Sequence, residues 1–545
     1  MNQSTARHLL TSAALISIIT VAARLAGLLR WAVFAPTVGA TATGQAYTTA
    51  NAVPNLIFEV VIGGGLAVVL VPLLAGHLAE RRGDQAGQIA SSLLCWTLLI
   101  LSPLAIILAC LAGPLATWLL AEATTNLNDA AQNQAIHQLG TQLLRIFAPQ
   151  LPLYGIGVVL SGYLQAGRRF AWPALAPLMS SLVVIGAYFG FANFAEGAQA
   201  SPARLSNAAV ACLGWGTTLG VAALTLPLLI PARRLGLPWR CSLRLPPGVG
   251  RRTLGLAASG MGGLLAQQVA MLVTMVLANR LGGHSAWPAW QYLQAIYLLP
   301  FAVLVMPLAT TAFTELAAQG SDAIRQTAPL AAVARSGRLV LGASIAGAAV
   351  LLAAASPLAQ LLQLLDRSAS FPNLTTPIRV LGLALIGLSV MTQANRALVA
   401  AERPGAAVRG MITGWLTVAV SGIIICLLVG AIANRAASVT QTLIGLASAW
   451  ALGMAVGGGS ALKLVNKILG PAALHGLGRT AGLAMLGAVA AALAGSALSG
   501  AIIADQAGGL LRPILACLAS GLVALALVAG PVGLAEPQRP SWRPW

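Results

Sequence analysis

Runs of about 20 apolar residues recur along the whole 545-residue chain, and no other feature constrains its fold as much. The hydrocarbon core of a bilayer is about 30 Å thick, which a helix crosses in roughly 20 residues. Fourteen such runs lie near 9–33, 46–76, 89–120, 141–165, 171–194, 206–231, 254–280, 288–316, 337–360, 375–398, 407–430, 440–464, 479–503 and 510–534. In lipid every backbone polar group must be bonded internally, so these runs are read as helices. The expected fold class is therefore all-α, a multi-pass membrane protein of about fourteen spans. Charged residues make up only 8% of the chain, against about 25% in soluble domains, which excludes a soluble enzyme with an ordinary surface. The first run is not read as a cleavable signal peptide, because it is too long and Arg24 and Arg30 interrupt it.

The chain carries 31 basic and 12 acidic residues, a net charge of +19. Set against the fourteen runs, 22 of the basic residues fall on one side, among them Arg81, Arg168, Arg233, Arg396 and Lys463. Six fall at the opposite loops and helix ends, and Arg24, Arg30 and Arg145 remain. Short cytoplasmic loops hold the excess of Lys and Arg. Both termini are thus expected in the cytoplasm, with the protein in the plasma membrane. The positive charge is topology and attraction to anionic membrane lipids, not a nucleic-acid footprint, which needs a basic stripe on a polar domain.

Enzyme signatures are missing. Gly457-Gly458-Gly459-Ser460 is followed by Ala461-Leu462-Lys463, which lacks the ending of a phosphate-cradling loop. No CxxC pair occurs, and the five histidines have no metal-ligand spacing. No catalytic residue, metal or bound cofactor is expected. Cys95, Cys110, Cys212, Cys426 and Cys517 lie in apolar runs and are read as core residues. Trp31, Trp118, Trp172, Trp215, Trp239, Trp287, Trp290 and Trp450 fall near span ends, as interfacial belts do.

The polar groups inside the runs are the candidate site. An arginine at mid-membrane costs about 2.5–3.5 kcal/mol on insertion scales, and Arg24 and Arg30 share one helix. They are candidates for an anion site, the alternatives being snorkelling or pairing with an acid. Gly27 lies between them and allows a bend that aims both into one cavity. The second run carries Gln45, Pro54, Asn55, Glu59 and Gly63-Gly64-Gly65. Pro54 and the three glycines mark a broken or flexible helix, tolerated only beside protein or a water-filled cavity. Glu59 is the one acidic residue deep in a run, either an ion-pair partner of the arginines or a gate. Gln45 and Asn55 either line the cavity or satisfy backbone. Arg145 is read as snorkelling at the outer start of the fourth span. Glu315 and Asp322 are read as solvated helix-end charges, and the tail from Pro537 to Trp545 as lying on the inner membrane surface.

Two stretches repeat. Tyr47…Pro54 resembles Tyr292…Pro300, about 246 residues on, and Gln165-Ala-Gly-Arg168-Arg169 resembles Ala400-Ala-Glu-Arg403-Pro404. This predicts two pseudo-symmetric six-helix lobes, 1–231 and 254–464, joined by a basic linker, 232–253. Two further helices, 465–534, and a tail, 535–545, complete the chain. Such repeats place a substrate site at their interface and work by rocking.

Ala23-Arg24-Leu-Ala-Gly27-Leu-Leu-Arg30, Val53-Pro54-Asn55-Leu56, Leu143-Leu-Arg145-Ile and Gly167-Arg168-Arg169-Phe170-Ala-Trp-Pro173-Ala-Leu-Ala-Pro177 together resemble the MurJ (MviN) family of lipid II flippases. That family lies within the multidrug/oligosaccharidyl-lipid/polysaccharide exporter superfamily. The resemblance implies a transporter for lipid-linked peptidoglycan precursor, acting in cell-wall biogenesis. Its pyrophosphate would meet Arg24 and Arg30, driven by membrane potential or a Na+/H+ gradient, with the cell-wall synthesis machinery as possible company. Many members have Asp at Gln45, an Arg pair at Phe58-Glu59, Glu at Gly63 and an Arg near Ala295, where this chain departs. The alternatives are a flippase for another polyprenyl-pyrophosphate-linked glycan, a MATE-like cation-coupled drug antiporter using Glu59, and a non-transporting scaffold.

Overall fold

With no water to bond, the backbone of each apolar run closes its hydrogen bonds within the run, and among the described residues no strand occurs. The computed structural model describes residues 3–60, 74, 83–120, 127–238, 243, 249–311, 327–366, 371–432, 438–503 and 509–535. Thirteen helices there are long and apolar enough to cross a membrane. They correspond to every expected span but the second, whose described part is a helix over Ala42–Phe58. The chain is a multi-pass membrane protein. Gly63, Gly64, Gly65, Glu315, Asp322, Trp239 and the tail lie outside the described residues.

Two units divide the chain, Met1–Gln268 with Asp366–Ser370, and Val269–Leu365 with Phe371–Trp545. In the first, α1 (Gln3–Thr37) is followed by α2 (Ala42–Phe58), α3 (Gly83–Cys110), α4 (Ala112–Leu119) and α5 (Leu127–Phe147). Then come α6 (Gln150–Ala166), α7 (Ala171–Ala195), α8 (Asn207–Thr225) and the short α9 (Leu229–Arg234). α1 lies on α7, while α2 packs against α5 and α6. Ile89, Val159, Tyr163, Leu228 and Ala232 form a core between α3, α6 and the end of the unit. The fourth span is two helices, Ala131–Ala166, broken between α5 and α6. Pro149 and Pro152 have no N–H to give, which interrupts the helical ladder at the break. The Thr218 hydroxyl donates to the Ile146 carbonyl at 3.0 Å and that of Thr225 to Leu153 at 3.1 Å. Gln150 donates to Thr218 at 3.1 Å, tying α6 to α8. The sequence expectation that Arg145 begins the fourth span is therefore not met, since the span starts at Ala131. Arg145 sits in the last turn of α5, exposed, just before the break. An apolar window cannot register a break whose carbonyls are capped from another helix.

In the second unit, α10 (Val249–Leu281) enters from the first, followed by α11 (Ala286–Pro300) and α12 (Thr327–Leu365). α13 (Thr375–Ala400), α14 (Pro404–Ile432) and α15 (Val439–Leu469) pack together, and α16 (Leu477–Ile503) and α17 (Leu511–Ala535) pack on each other and on α12. Small residues allow close approach between membrane helices. A Cβ at Gly387 would lie 2.3 Å from the backbone of Met454, so α13 and α15 touch backbone to backbone there. Trp287, Trp290 and Trp450 are not in an interfacial belt. They are buried, and Trp450 is ringed edge-on by Trp290, Trp415 and Tyr297 at 5.5, 5.3 and 6.5 Å between centroids. The Trp450 indole donates to Thr274 at 3.1 Å. Ring area is large enough to fill the unit's core, and that burial outweighs the interfacial preference. Trp118 and Trp215 are exposed, as a belt requires. Among the cysteines Cys426 is buried, Cys212 and Cys517 are half-buried and Cys110 is exposed, because an apolar helix in lipid has no need to bury every apolar face.

The repeat is a repeat of backbone turns. Gly39 and Gly283, at φ +70° and +66°, each stand three residues before α2 and α11 respectively. Arg168 and Glu402, at φ +59° and +56°, close α6 and α13 with the same hydrogen bonds. Arg169 N–H reaches Leu164 O at 2.8 Å, and Arg403 N–H reaches Leu398 O at 2.8 Å. This is the left-handed helix cap in which the chain folds back onto the last turn. α2 and α11 also widen alike. After Pro54 the chain takes a π turn at Glu59 and Val60, and after Pro300 one over Phe301–Val305.

Candidate functional site

Arg24 and Arg30 both lie on α1, which runs unbroken through Gly27. A Cβ at Gly27 would meet nothing within 4 Å, so the glycine does not serve close packing. α1 runs as one helix from Gln3 to Thr37, with Pro36 in its last turn. Arg24 is exposed and Arg30 half-buried. The Arg30 guanidinium is near enough to Tyr47 of α2 and Tyr154 of α6 for its charge to act on both phenols.

Below Arg30, aromatic rings lock the ends of α1, α2, α5 and α7 together. Phe34 packs edge-on against Trp31 and Tyr188 at 5.6 and 5.4 Å, and Tyr47 against Phe147 at 5.9 Å. The Tyr47 hydroxyl is 3.0 Å from both the Tyr188 hydroxyl and Thr217 Oγ1. A buried phenol needs such partners, and they hold the Tyr47 ring in place. Phe58 packs against Tyr154 with ring centroids 4.8 Å apart, which holds the C-terminal end of α2 on α6.

The residues of α2 divide. Glu59 is exposed in the π turn, and among the described residues it pairs with neither arginine. Asn55 donates its amide to Asn51 O at 2.9 Å, within its own helix. Gln45 is fully buried in the unit's interior rather than facing open space. Pro54 is buried one turn above the widening. The structure thus leaves Tyr47 and Tyr154 within electrostatic reach of Arg30, and leaves Arg24 and Glu59 exposed. Tyr154 was not singled out from sequence; the only signal was its place two residues after Pro152 at a helix break. Chemically, Arg30 is a planar fork of N–H donors with no carboxylate among the described residues, so the group it suits is an oxyanion.

Residues 34–364 match the protein family described as "Lipid II flippase MurJ". The match begins after Arg24 and Arg30, so those two residues are outside it. Among curated relatives, the lipid II flippase MurJ of Burkholderia cenocepacia is 25% identical over 319 residues, 56% of this chain and 57% of that protein. That of Thermosipho africanus is 27% identical over 177 residues, 32% of this chain and 34% of that protein. The alignments therefore span less than two thirds of these relatives' length. A solved structure described as lipid II flippase MurJ in an inward closed conformation superposes with a TM-score of 0.70. It covers 96% of this chain and all of its own, at 17% identity. An inward-facing multidrug resistance MATE family transporter of the MOP superfamily follows at 0.64, covering 82% of this chain at 14% identity. At such identities the likeness is one of fold. Since the family match takes in more than half of the chain, this protein belongs to the MurJ family of lipid II flippases.

Proposed function

We propose that the chain translocates lipid-linked peptidoglycan precursor from the inner to the outer leaflet of the plasma membrane by alternating access, with both termini cytoplasmic. The observation that carries this is Arg30, a half-buried cation in a membrane helix, within electrostatic reach of two phenols and unpaired with any described carboxylate. An unneutralised arginine in lipid is costly, and an arriving pyrophosphate offsets that cost with paired, charge-assisted bonds. Arg24, six residues up the helix and exposed, is the first contact for the same headgroup, and Arg30 the deeper one. Membrane potential or an ion gradient supplies direction, at about 2.3 kcal/mol per charge per 100 mV. The test is complementation of cells depleted of their own flippase, with lipid II exposed outside as the readout. Wild type restores exposure, while Arg24→Ala and Arg30→Ala do not; full export by both variants overturns the arginine role.

A cation-coupled antiporter of MATE type is the second reading, favoured by one observation. Glu59 is an exposed acid at the π turn that ends α2. Drug-dependent proton or sodium flux abolished by Glu59→Gln, with lipid II export untouched, would replace the flippase reading by this one.

A further inference from the structure

Counted by sequence, Arg396 is one of the cytoplasmic-side charges that orient the chain. Its surroundings differ from those of its neighbours. Arg403 and Arg409 are exposed at the turn beyond α13 and the start of α14. Arg396 stands inside the membrane-spanning α13, four residues or about 6 Å of helix before its end, and it is half-buried.

Its guanidinium is held by uncharged groups. One terminal nitrogen donates to Thr310 Oγ1 at 3.2 Å, and the other lies 3.6 Å from Met306 Sδ. Both partners follow the π turn that widens the end of α11. The Thr310 hydroxyl spends its own proton on the Met306 carbonyl at 2.7 Å, which turns its lone pairs toward the arginine. Two of the five N–H donors of the fork are thus engaged, and no described carboxylate pairs with it. Thr310 and Thr311 are exposed, so the fork is open on that side.

The fold does not require a cation at this point. Counting back from the equivalent cap residues Leu164 and Leu398, the position of Arg396 corresponds to that of Gly162 in α6. The first unit makes the same helix and the same cap with glycine there. What is added in the second unit is a charge held by neutral groups, close to the end of a helix long and apolar enough to cross a membrane.

We propose that Arg396, braced by Thr310 and Met306, is a binding site for the phosphate of a lipid headgroup on the second unit. This goes beyond the transport reading, because binding is measured without transport. The full-length protein is placed in nanodiscs of zwitterionic lipid and titrated separately with undecaprenyl pyrophosphate and with phosphatidylglycerol. Loss of a charge-assisted fork is expected to weaken binding of at least one of them about tenfold in Arg396→Ala. Arg396→Lys, which keeps the charge but not the fork, recovers part of it. A loss confined to the pyrophosphate makes the site a substrate contact; a loss confined to phosphatidylglycerol makes it a bulk-lipid contact. If Arg396→Ala does not fold, Thr310→Val frees the guanidinium from its brace and is expected to weaken the same binding about threefold. Binding of both lipids within twofold of wild type in the variant that folds overturns the proposal.

Discussion

Replacing Arg30 by Gln separates a cation kept for an anion from a cation kept for the fold. Arg30 is half-buried in α1 and no described carboxylate faces it. Its presence therefore costs insertion energy, about 2.5–3.5 kcal/mol at mid-membrane and less where the side chain is partly exposed. Removing it relieves that cost, so the variant is expected to melt no lower than wild type. If the charge serves a pyrophosphate, the same change removes hydrogen bonds to a charged group worth about 1.5–3 kcal/mol, or roughly 10- to 150-fold in affinity. The assay is a pair of measurements on the same nanodisc preparation, thermal melting and titration with undecaprenyl pyrophosphate. Arg30→Lys is the control and should lie between the two, since an ammonium carries charge without the planar fork. Affinity within twofold of wild type, together with a melting temperature several degrees lower, would refute the argument and make Arg30 a structural group.

Three other changes probe the frame around the site. Thr218→Val leaves the Ile146 carbonyl at the α5–α6 break without its donor and should cost about 1–3 kcal/mol, seen as a lower melting temperature in detergent. Gly387→Ala forces a methyl against the Met454 backbone and should cost about 1–3 kcal/mol by overpacking, seen as a lower fraction of folded protein on size exclusion. Glu402→Gly relieves a left-handed non-glycine residue at φ +56° and should raise stability by about 1 kcal/mol; an unchanged or lower melting temperature would count against strain there.

The spans were legible because hydropathy over 20 residues depends on no partner, and lipid leaves the backbone one choice. Arg24 and Arg30 were legible for the same reason: a charge inside such a run stands out whatever surrounds it. The fate of the uncharged polar residues was not. Asn55 bonds to its own helix and Gln45 is buried in the interior, and which of these a polar side chain does depends on helices distant in sequence. The tryptophans misled because position near a span end looks the same for a belt residue and for Trp290 or Trp450, whose rings fill a core. Tyr154 was invisible because what it meets, the Phe58 ring of α2, lies about a hundred residues away in sequence.

The weakness of the repeat in sequence has a physical cause that bears on where function resides. What the two units share are turns: glycines at positive φ ahead of α2 and α11, left-handed caps after α6 and α13, and π turns after Pro54 and Pro300. A turn constrains φ and ψ and leaves side chains open, so Arg168 can stand where Glu402 stands. The side chains at related positions have diverged accordingly. Tyr47 is tied to Tyr188 and Thr217 within electrostatic reach of a cation, whereas Tyr292 packs on Phe371. The position of glycine 162 in the first unit corresponds to that of arginine 396 in the second. Where two units build one backbone, the charges that only one of them carries are not needed to build it. Arg30 in the first unit and Arg396 in the second are therefore better explained by what they bind than by what they hold together.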